Sequence, residues 1–569
     1  MKPPRLSGAA LTIARSAAET PATASALRGL LTESLGIVRL RALDPALRAD
    51  FALEHRPLRA TSATRELPRQ DLPPPARSAH PRPSAAYVAA YASGAISPVD
   101  VVELALRKLD ELTAREPSMN LLVPMQRPEL SRRDAEESAA RHRAGRAKGP
   151  LDGVPFLVKD EYDIAGLPTK LGTRVESDVP AGRDATIVAR LREAGAVVLG
   201  KTVLTEWGMS PIGNNACRAS DDARCRMPHN AHHAERAPGG SSTGSSVGVA
   251  LGLGPIALAG DGGGSIRIPA ALNGIFGIKP TFGRVSRAGD GFKGTVAHCG
   301  PVAASTADLA LALDTFASDH DELEAITSWA PAPPRGGFGS RIAAGVRGLR
   351  IGIPIGELDD ASPEVARACR DAIRWLEKEG AIVSDVSIHL AREATPIGYL
   401  TIGPESLTAH LDQWLDLPLR SRMNDDLRLS FAVLSGITAT EQLDAQRLRS
   451  MLRLQVAAAL REVDVLALPT TATTAPRYAQ ADETRAFSDP VALDAMCRYA
   501  FIGNLTGVPA GTAPVGVDCD GLPIGLQIIG DAWDEHVVLG VLAHLERGGA
   551  AQVPRSTMAI DLLGGASGG

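Results

Sequence analysis

Two glycine-rich segments of the chain carry serines that could act as nucleophiles. Residues 239–246 read Gly-Gly-Ser-Ser-Thr-Gly-Ser-Ser, and residues 261–269 read Asp-Gly-Gly-Gly-Ser-Ile-Arg-Ile-Pro. Apolar runs flank both segments, and glycines between buried elements usually let the backbone approach another group closely. The four backbone N–H groups of residues 262–265 could converge on one oxygen, as in an oxyanion hole, with Ser265 as the attacking group. A glycine-rich turn that binds nothing is the alternative that these residues leave open.

A nucleophilic serine needs a base. The histidines of this region, at positions 229, 232, 233 and 298, show no spacing typical of a catalytic triad. Lys159 is the other candidate, because it ends the apolar run Val154–Val158, which predicts a buried strand. Burial favours the neutral amine, which is the form that can accept a proton.

The segment from Gly195 to Thr202 matches the letters of a phosphate-binding loop, with Gly200, Lys201 and Thr202 in place. The four residues between its glycines are Ala-Val-Val-Leu, which predict a buried strand. A phosphate-binding loop must follow its strand rather than contain it. We therefore expect no nucleotide site there.

The candidate residues lie among short apolar runs that alternate with helical patterns. The predicted strands are 154–158, 196–199, 255–259, 275–278, 349–353, 381–386, 463–468 and 525–529. The predicted helices are 84–93, 97–112, 184–193 and 362–379, and Ser97 followed by Pro98 is typical of a helix start. This alternation predicts an α/β fold, with a large mixed β-sheet covered by helices on both faces.

Composition excludes several functional classes. With 60 basic and 65 acidic residues the net charge is −5, and only 4% of residues are aromatic, so we expect no nucleic-acid partner. Six cysteines scattered over 569 residues form no disulfide framework. The sequence shows neither a secretory leader nor a run of about 18 apolar residues. These features predict a cytoplasmic protein.

Residues 1–83 are predicted to form an N-terminal helical arm with a proline-rich strap. The strap, residues 67–83, contains six prolines and should be stiff and extended. The arm before it is helical in pattern and carries apolar positions such as Leu27, Leu30, Leu31, Leu35 and Ile37. Short helices are marginal alone in water, so the arm must pack against the catalytic domain, a second subunit or a lipid surface.

The predicted catalytic domain spans residues 84–563. Residues 564–569 contain only Gly, Ala and Ser and are predicted to be a disordered tail. Between residues 215 and 239 lies a polar segment with Cys217, Cys225, His229, His232 and His233. Its spacing does not match a zinc knuckle, so we interpret it as a surface loop and expect no metal, with a metal site or a disulfide as alternatives.

Segments 153–163, 239–246 and 260–280, in this order, resemble the amidase signature family, whose members use a Ser–cis-Ser–Lys triad. Ser241 and Ser265 lie 24 residues apart, which matches the family spacing. The resemblance extends over roughly residues 84–550. Within the family, the plant-type fatty acid amide hydrolases are the nearest likeness, through residues 261–269, 427–432 with 438–439, 469–471 with 474–476, and 521–527.

The resemblance implies a role for each matching residue. Ser265 attacks the carbonyl carbon, and Ser241, held by a cis peptide bond after Gly240, passes the proton to Lys159. The oxyanion is held by backbone N–H groups of Gly262, Gly263, Gly264 and Ser265. Supporting residues behind the site are Asp261, Arg267 and Ser242, with Arg267 bracing the loop. Gly260 departs from the family, where Thr is usual.

The resemblance further implies an amidohydrolase that cleaves a linear carboxylic amide through an acyl-enzyme, with water as second substrate and no cofactor. A lipophilic acyl amide is the predicted substrate. Aryl amides, small amides and the glutamine-amidase subunit of a tRNA-dependent amidotransferase are the alternatives. The plant-type likeness and the arm argue against the last of these. For the arm, the resemblance favours packing near the substrate entrance or a homodimer contact.

Overall fold

The computed structural model describes residues 5–48, 55–66, 70, 81–115, 117–216, 227–479, 482, 485–548 and 553–564. Twelve strands lie within these residues: β1 Leu6–Ser7, β2 Pro155–Lys159, β3 Val197–Thr202, β4 Ile256–Asp261, β5 Phe276–Lys279, β6 His298–Ala303, β7 Arg350–Pro354, β8 Ile382–Val386, β9 Val465–Pro469, β10 Phe487–Ser488, β11 Ala510–Val517 and β12 Pro523–Gly530.

The described residues also contain nineteen α-helices. They are α1 Gly8–Glu19, α2 Pro21–Ser34, α3 Ile37–Arg41, α4 Ser84–Ala92, α5 Pro98–Ala114, α6 Pro128–Arg143, α7 Thr186–Glu193, α8 Thr243–Leu251, α9 Arg267–Leu272, α10 Thr306–Phe316, α11 Pro363–Lys378, α12 Ala394–Ala409, α13 Leu411–Leu415, α14 Leu417–Arg420, α15 Asp425–Leu434, α16 Ala439–Glu462, α17 Pro490–Cys497, α18 Ala500–Thr506 and α19 Glu535–Arg547. The helix start predicted at Ser97 is confirmed, because Ser97 and Asp100 form a capping box at α5.

Ten strands form one sheet in the order β3-β2-β4-β6-β5-β11-β12-β9-β7-β8. At one end β3, β2 and β4 run parallel, and at the other end β9, β7 and β8 do the same. The neighbours between these groups are antiparallel. The prediction of an α/β fold with a large mixed sheet is therefore confirmed.

The parallel strands β2 and β4 position the candidate residues. Both strands are buried at every residue, as expected for parallel strands covered on both faces. In their register, Phe156 lies opposite Ile256 and Val158 opposite Leu258. Because adjacent parallel strands end at the same edge of a sheet, Lys159 at the end of β2 comes close to the loop that follows β4.

The segment that matches a phosphate-binding loop is a strand, as predicted. It forms β3, whose six residues are all buried. Lys201 Nζ donates a hydrogen bond to the carbonyl oxygen of Pro168 at 2.9 Å and forms an ion pair with Asp160 at 2.8 Å. This lysine is therefore part of the interior of the protein.

The N-terminal arm packs on helices beside the candidate site. Leu11 of α1 is buried in one apolar cluster with Phe431 of α15 and with Trp207. At the rim of this contact, Arg428 Nη2 donates to Glu19 at 2.8 Å. Of the three surfaces that the sequence leaves open for the arm, the body of the chain is the one that these residues contact.

The apolar positions singled out in the arm divide into three groups. Ile37 is buried, and Leu27 and Leu35 are partly buried against apolar clusters. The side chains of Leu30 and Leu31 lie outside the described residues. Most of the proline-rich strap and the tail beyond Gly564 lie outside them too. No helix in the described part of the chain is both long enough and apolar enough to cross a membrane.

Candidate active site

Lys159 is a buried amine at the carboxyl end of β2. Only 1% of the residue is exposed. Its Nζ donates a hydrogen bond to Ser241 Oγ at 2.9 Å. An amine in this position could exchange a proton with the Ser241 hydroxyl, provided that it is neutral when it accepts.

Ser241 belongs to the loop that leads into α8. The peptide bond between Gly240 and Ser241 is cis, as the family resemblance implies. The following residue, Ser242, is fully buried and donates from its Oγ to the carbonyl oxygen of Gly260 at 3.2 Å. This bond connects the first glycine–serine segment to the end of β4. The two glycine–serine segments therefore lie side by side.

The second glycine–serine segment connects β4 to α9. Ser265 lies in it and lines the same pocket as Lys159 and Ser241. At Gly264 the backbone has φ +115°, a conformation that side chains rarely permit. The loop therefore depends on glycine for its shape.

One of the predicted oxyanion donors, the Gly264 N–H, has a hydrogen-bond partner within the loop itself. The Gly264 N–H donates to Asp261 Oδ1 at 2.7 Å and so braces the turn. Gly262 lines the pocket together with Ser265. The candidate oxyanion donors are accordingly the N–H groups of Gly262, Gly263 and Ser265, with Gly264 holding the loop instead.

Asp261 and Arg267 form a buried ion pair beneath the loop. Arg267 Nε donates to Asp261 Oδ2 at 2.9 Å, and both side chains are fully buried. Asn504 adds a hydrogen bond to Asp261 Oδ1 at 2.8 Å. Burial alone would raise the pKa of Asp261, but Arg267 and Asn504 hold it well below its usual range. Because Arg267 lies behind the loop, its position agrees with a bracing function.

The sequence did not point to Glu161 as a member of the site. Its Oε2 lies 2.7 Å from Lys159 Nζ, and its side chain is 7% exposed. No strand periodicity could have revealed it, because β2 ends at Lys159 and residues 160–161 form a turn that is closed by a hydrogen bond from the Tyr162 N–H to the Lys159 carbonyl oxygen. Asp290 lies near Glu161, and burial together with the Glu161 charge raises the pKa of Asp290 to about 8.

The empty space in front of these residues, counted together with the open solvent at its mouth, is about 500 Å³. Much of its wall is apolar and comes from Leu171, Trp207, Met209, Phe292 and Ile402. The Trp207 ring stacks on His410 with 3.9 Å between ring centroids. Burial lowers the pKa of His410 to about 4, so this imidazole is neutral near pH 7.

Three of the histidines considered as bases contact groups other than the two serines. His298 lines the pocket, but its Nδ1 faces the carbonyl oxygen of Val296 at 2.7 Å. His232 Nε2 lies 3.1 Å from the carbonyl oxygen of Asn273, and His229 packs edge-on against Tyr478. Cys217 and Cys225 of the polar segment lie outside the described residues. For the polar segment, a metal site and a disulfide therefore stay open as alternatives to a surface loop.

The chain is similar to known amide-cleaving proteins. A family model described as Amidase matches residues 100–539. The chain is 33% identical to a fatty acid amide hydrolase of Arabidopsis thaliana, over 86% of this chain and 80% of that protein. It is also 33% identical to a subunit of the glutamyl-tRNA(Gln) amidotransferase of Chloroflexus aggregans, over 80% of this chain and 94% of that protein. A solved bacterial aryl acylamidase of the amidase signature enzymes superposes with a TM-score of 0.72 at 26% identity, covering 83% of this chain and 97% of that one.

Proposed function

The chain belongs to the amidase signature family and is an amidohydrolase, and we propose that it cleaves its substrate through an acyl-enzyme formed on Ser265. The observation that carries this proposal is the 2.9 Å hydrogen bond from Lys159 to Ser241 in the pocket that Ser265 also lines. A serine nucleophile needs a route for its proton. Ser241 and the Lys159 amine supply such a route.

In the acylation step the Ser265 oxygen bonds to the carbonyl carbon of the amide. The Ser265 proton passes to the Ser241 oxygen as the Ser241 proton passes to Lys159, whose amine becomes an ammonium. When the tetrahedral intermediate collapses, the carbon–nitrogen bond breaks and the proton returns through Ser241 to the leaving nitrogen. Water then attacks the ester by the same route, which releases the acid and restores Ser265.

The loop after β4 stabilises the negative charge that forms on the carbonyl oxygen. In this proposal the donors are the N–H groups of Gly262, Gly263 and Ser265. Each donor of this kind contributes about 3–4 kcal/mol to transition-state stabilisation. The ion pair of Asp261 with Arg267 keeps the donors aimed at one point, because Asp261 also accepts the Gly264 N–H.

A lipophilic acyl amide is the substrate that the pocket supports best. The apolar wall of Leu171, Met209, Phe292 and Ile402 would bury a hydrocarbon chain. An aryl amide is the second candidate, because the stacked Trp207 and His410 offer a flat aromatic face.

Hydrolysis of a matched panel of amides tests the proposed substrate class. The panel contains primary amides of short, medium and long fatty acids, an anilide, and glutamine. We expect the highest kcat/KM with a long acyl chain; a preference for glutamine or for the shortest amide would contradict the substrate assignment.

Ser265→Ala should lower turnover by about 10⁴-fold or more while the protein stays folded. Ser246→Ala is the matched control. Ser246 lies in the first glycine–serine segment, and its buried hydroxyl has no hydrogen-bond partner among the described residues. Wild-type turnover in Ser265→Ala would refute the acyl-enzyme assignment.

A further inference from the structure

A buried carboxylate contacts the amine of the proposed proton relay. Glu161 Oε2 lies 2.7 Å from Lys159 Nζ, and the two side chains are 7% and 2% exposed. The same amine donates to Ser241 at 2.9 Å. Lys159 is therefore held between a hydroxyl on one side and a carboxylate on the other.

The absence of a side chain at Gly260 leaves space for the Glu161 carboxylate. A methyl group at Gly260 would overlap with Glu161 Oε1. It would also come within 3.2 Å of the Tyr162 hydroxyl. If residue 260 had a side chain, Glu161 could not keep its present position. The missing side chain at Gly260, a departure from the usual family residue, thus makes room for Glu161.

Among the described residues, Glu161 is the carboxylate that pairs with the Lys159 amine, and several other titratable groups surround Glu161. Burial and the Glu161 charge raise the pKa of Asp290 to about 8, so Asp290 is neutral at lower pH. Cys299 donates to Asp290 at 3.4 Å, and burial raises the pKa of its thiol. The Tyr162 hydroxyl donates to a backbone carbonyl at 2.8 Å. The charge of Arg287 opposes the effect of burial on the pKa of Asp290.

We propose that Glu161 is a positioning residue of the proton relay, which orients the Lys159 amine towards Ser241 and stabilises the ammonium that forms when Lys159 accepts the proton. This inference rests on the proposed function, in which Lys159 is the base. An opposite charge this close favours the charged form of its partner. The Glu161 carboxylate, 2.7 Å from the amine, therefore holds Lys159 in place and stabilises the positive charge that the relay creates on it.

The test measures how the reactivity of Ser265 depends on pH. The probe is a long-chain alkyl fluorophosphonate, and the labelled protein is detected by intact mass. In this reaction the Ser265 oxygen–phosphorus bond forms, fluoride leaves and the Ser265 proton passes through Ser241 to Lys159. Removing the Glu161 charge with Glu161→Gln should move the pH of half-maximal labelling about one to three pH units lower. Glu161→Asp should keep this midpoint close to the wild-type value, because it keeps the charge.

Glu129→Gln is the control, since it removes an exposed carboxylate that pairs with Arg127. Its midpoint should equal that of the wild type. An unchanged midpoint in folded Glu161→Gln would overturn the inference. Wild-type labelling rates in both Lys159→Ala and Ser265→Ala would instead overturn the proposed function, so the two failures are distinguishable.

A double-mutant cycle covers the case in which Glu161→Gln does not fold. Gly260→Ala should lower the pH of half-maximal labelling in the wild-type background, because the new methyl group displaces the carboxylate from Lys159. In the Glu161→Ala background the same substitution should have little effect, since the displaced group is gone. An equal effect of Gly260→Ala in both backgrounds would contradict the inference.

Discussion

Replacing Arg267 by Met is expected to destabilise the protein by about 3–5 kcal/mol. The guanidinium is fully buried and donates to Asp261 through Nε at 2.9 Å and through Nη2 at 3.0 Å. Its Nη1 donates to the carbonyl oxygen of Ala500 at 2.9 Å. Met fills much of the same volume, so the main effect is that Asp261 becomes a buried charge without a cation.

The loss should depend on pH in a defined direction. The folded-state pKa of Asp261 is depressed, so its contribution to stability is present above the ordinary carboxylate pKa of about 4 and declines as the pH falls towards the folded value. Urea unfolding at about pH 7 and at about pH 4 measures the difference. The destabilisation by Arg267→Met should be smaller at the lower pH, where protonation of Asp261 removes the unpaired charge.

Catalysis should fall in the same variant, because Asp261 would no longer hold the Gly264 N–H and the turn in place. The double variant Arg267→Met with Asp261→Asn should recover part of the stability, since no unpaired charge remains. An unfolding free energy of Arg267→Met within about 1 kcal/mol of the wild type would contradict this prediction. So would a double variant that loses more unfolding free energy than the two single variants lose together.

Three further predictions concern the loop, the acid beside it and the arm. Gly264→Ala should destabilise the protein by about 1–3 kcal/mol, because φ is +115° and a methyl group would lie 2.7 Å from Ala500 Cβ; an unchanged melting temperature would contradict this. Because the folded-state pKa of Asp290 is raised from 3.8 to about 8, its contribution to stability is present below the unfolded value and is lost as the pH rises. Asp290→Asn should therefore gain unfolding free energy relative to the wild type from about pH 4 to about pH 8 in urea titrations, and a constant difference would argue against it. A chain beginning at Ser84 loses Leu11 from the cluster that contains Trp207 and should melt lower and show a higher KM for long-chain amides; kinetics equal to those of the full chain would exclude this effect of the arm.

The strands that position Lys159 could be predicted from the sequence, whereas two strands at the centre of the sheet could not. Parallel strands buried on both faces have continuous apolar runs, and residues 155–158 of β2 and 256–259 of β4 follow this pattern. In contrast, β6 contains Gly300 and Pro301, and β11 contains Gly511, Pro514 and Gly516. These residues disfavour strands locally. Pairing with neighbours on both sides makes them strands, and this information lies elsewhere in the chain.

The candidate site divides in a similar way. Lys159, Ser241 and Ser265 stand in motifs with a fixed spacing, so the sequence could predict that they meet. The walls of the pocket come from segments as distant as Leu171 and His410, and no local pattern connects them. The engagement of the Gly264 N–H by Asp261 depends on the orientation of one peptide group, which composition and spacing do not encode.

The order of strands in the sheet has a consequence for synthesis on the ribosome. β5 pairs with β6, which follows it closely, and on its other edge with β11, where Lys279 lies opposite Ala510. About 230 residues separate these two partners along the chain. At a translation rate of about 5–20 residues per second, the free edge of β5 waits roughly 10–50 s for its neighbour. During that time the half-sheet of the nascent chain presents an unpaired edge, which makes it a substrate for chaperones and a site of aggregation.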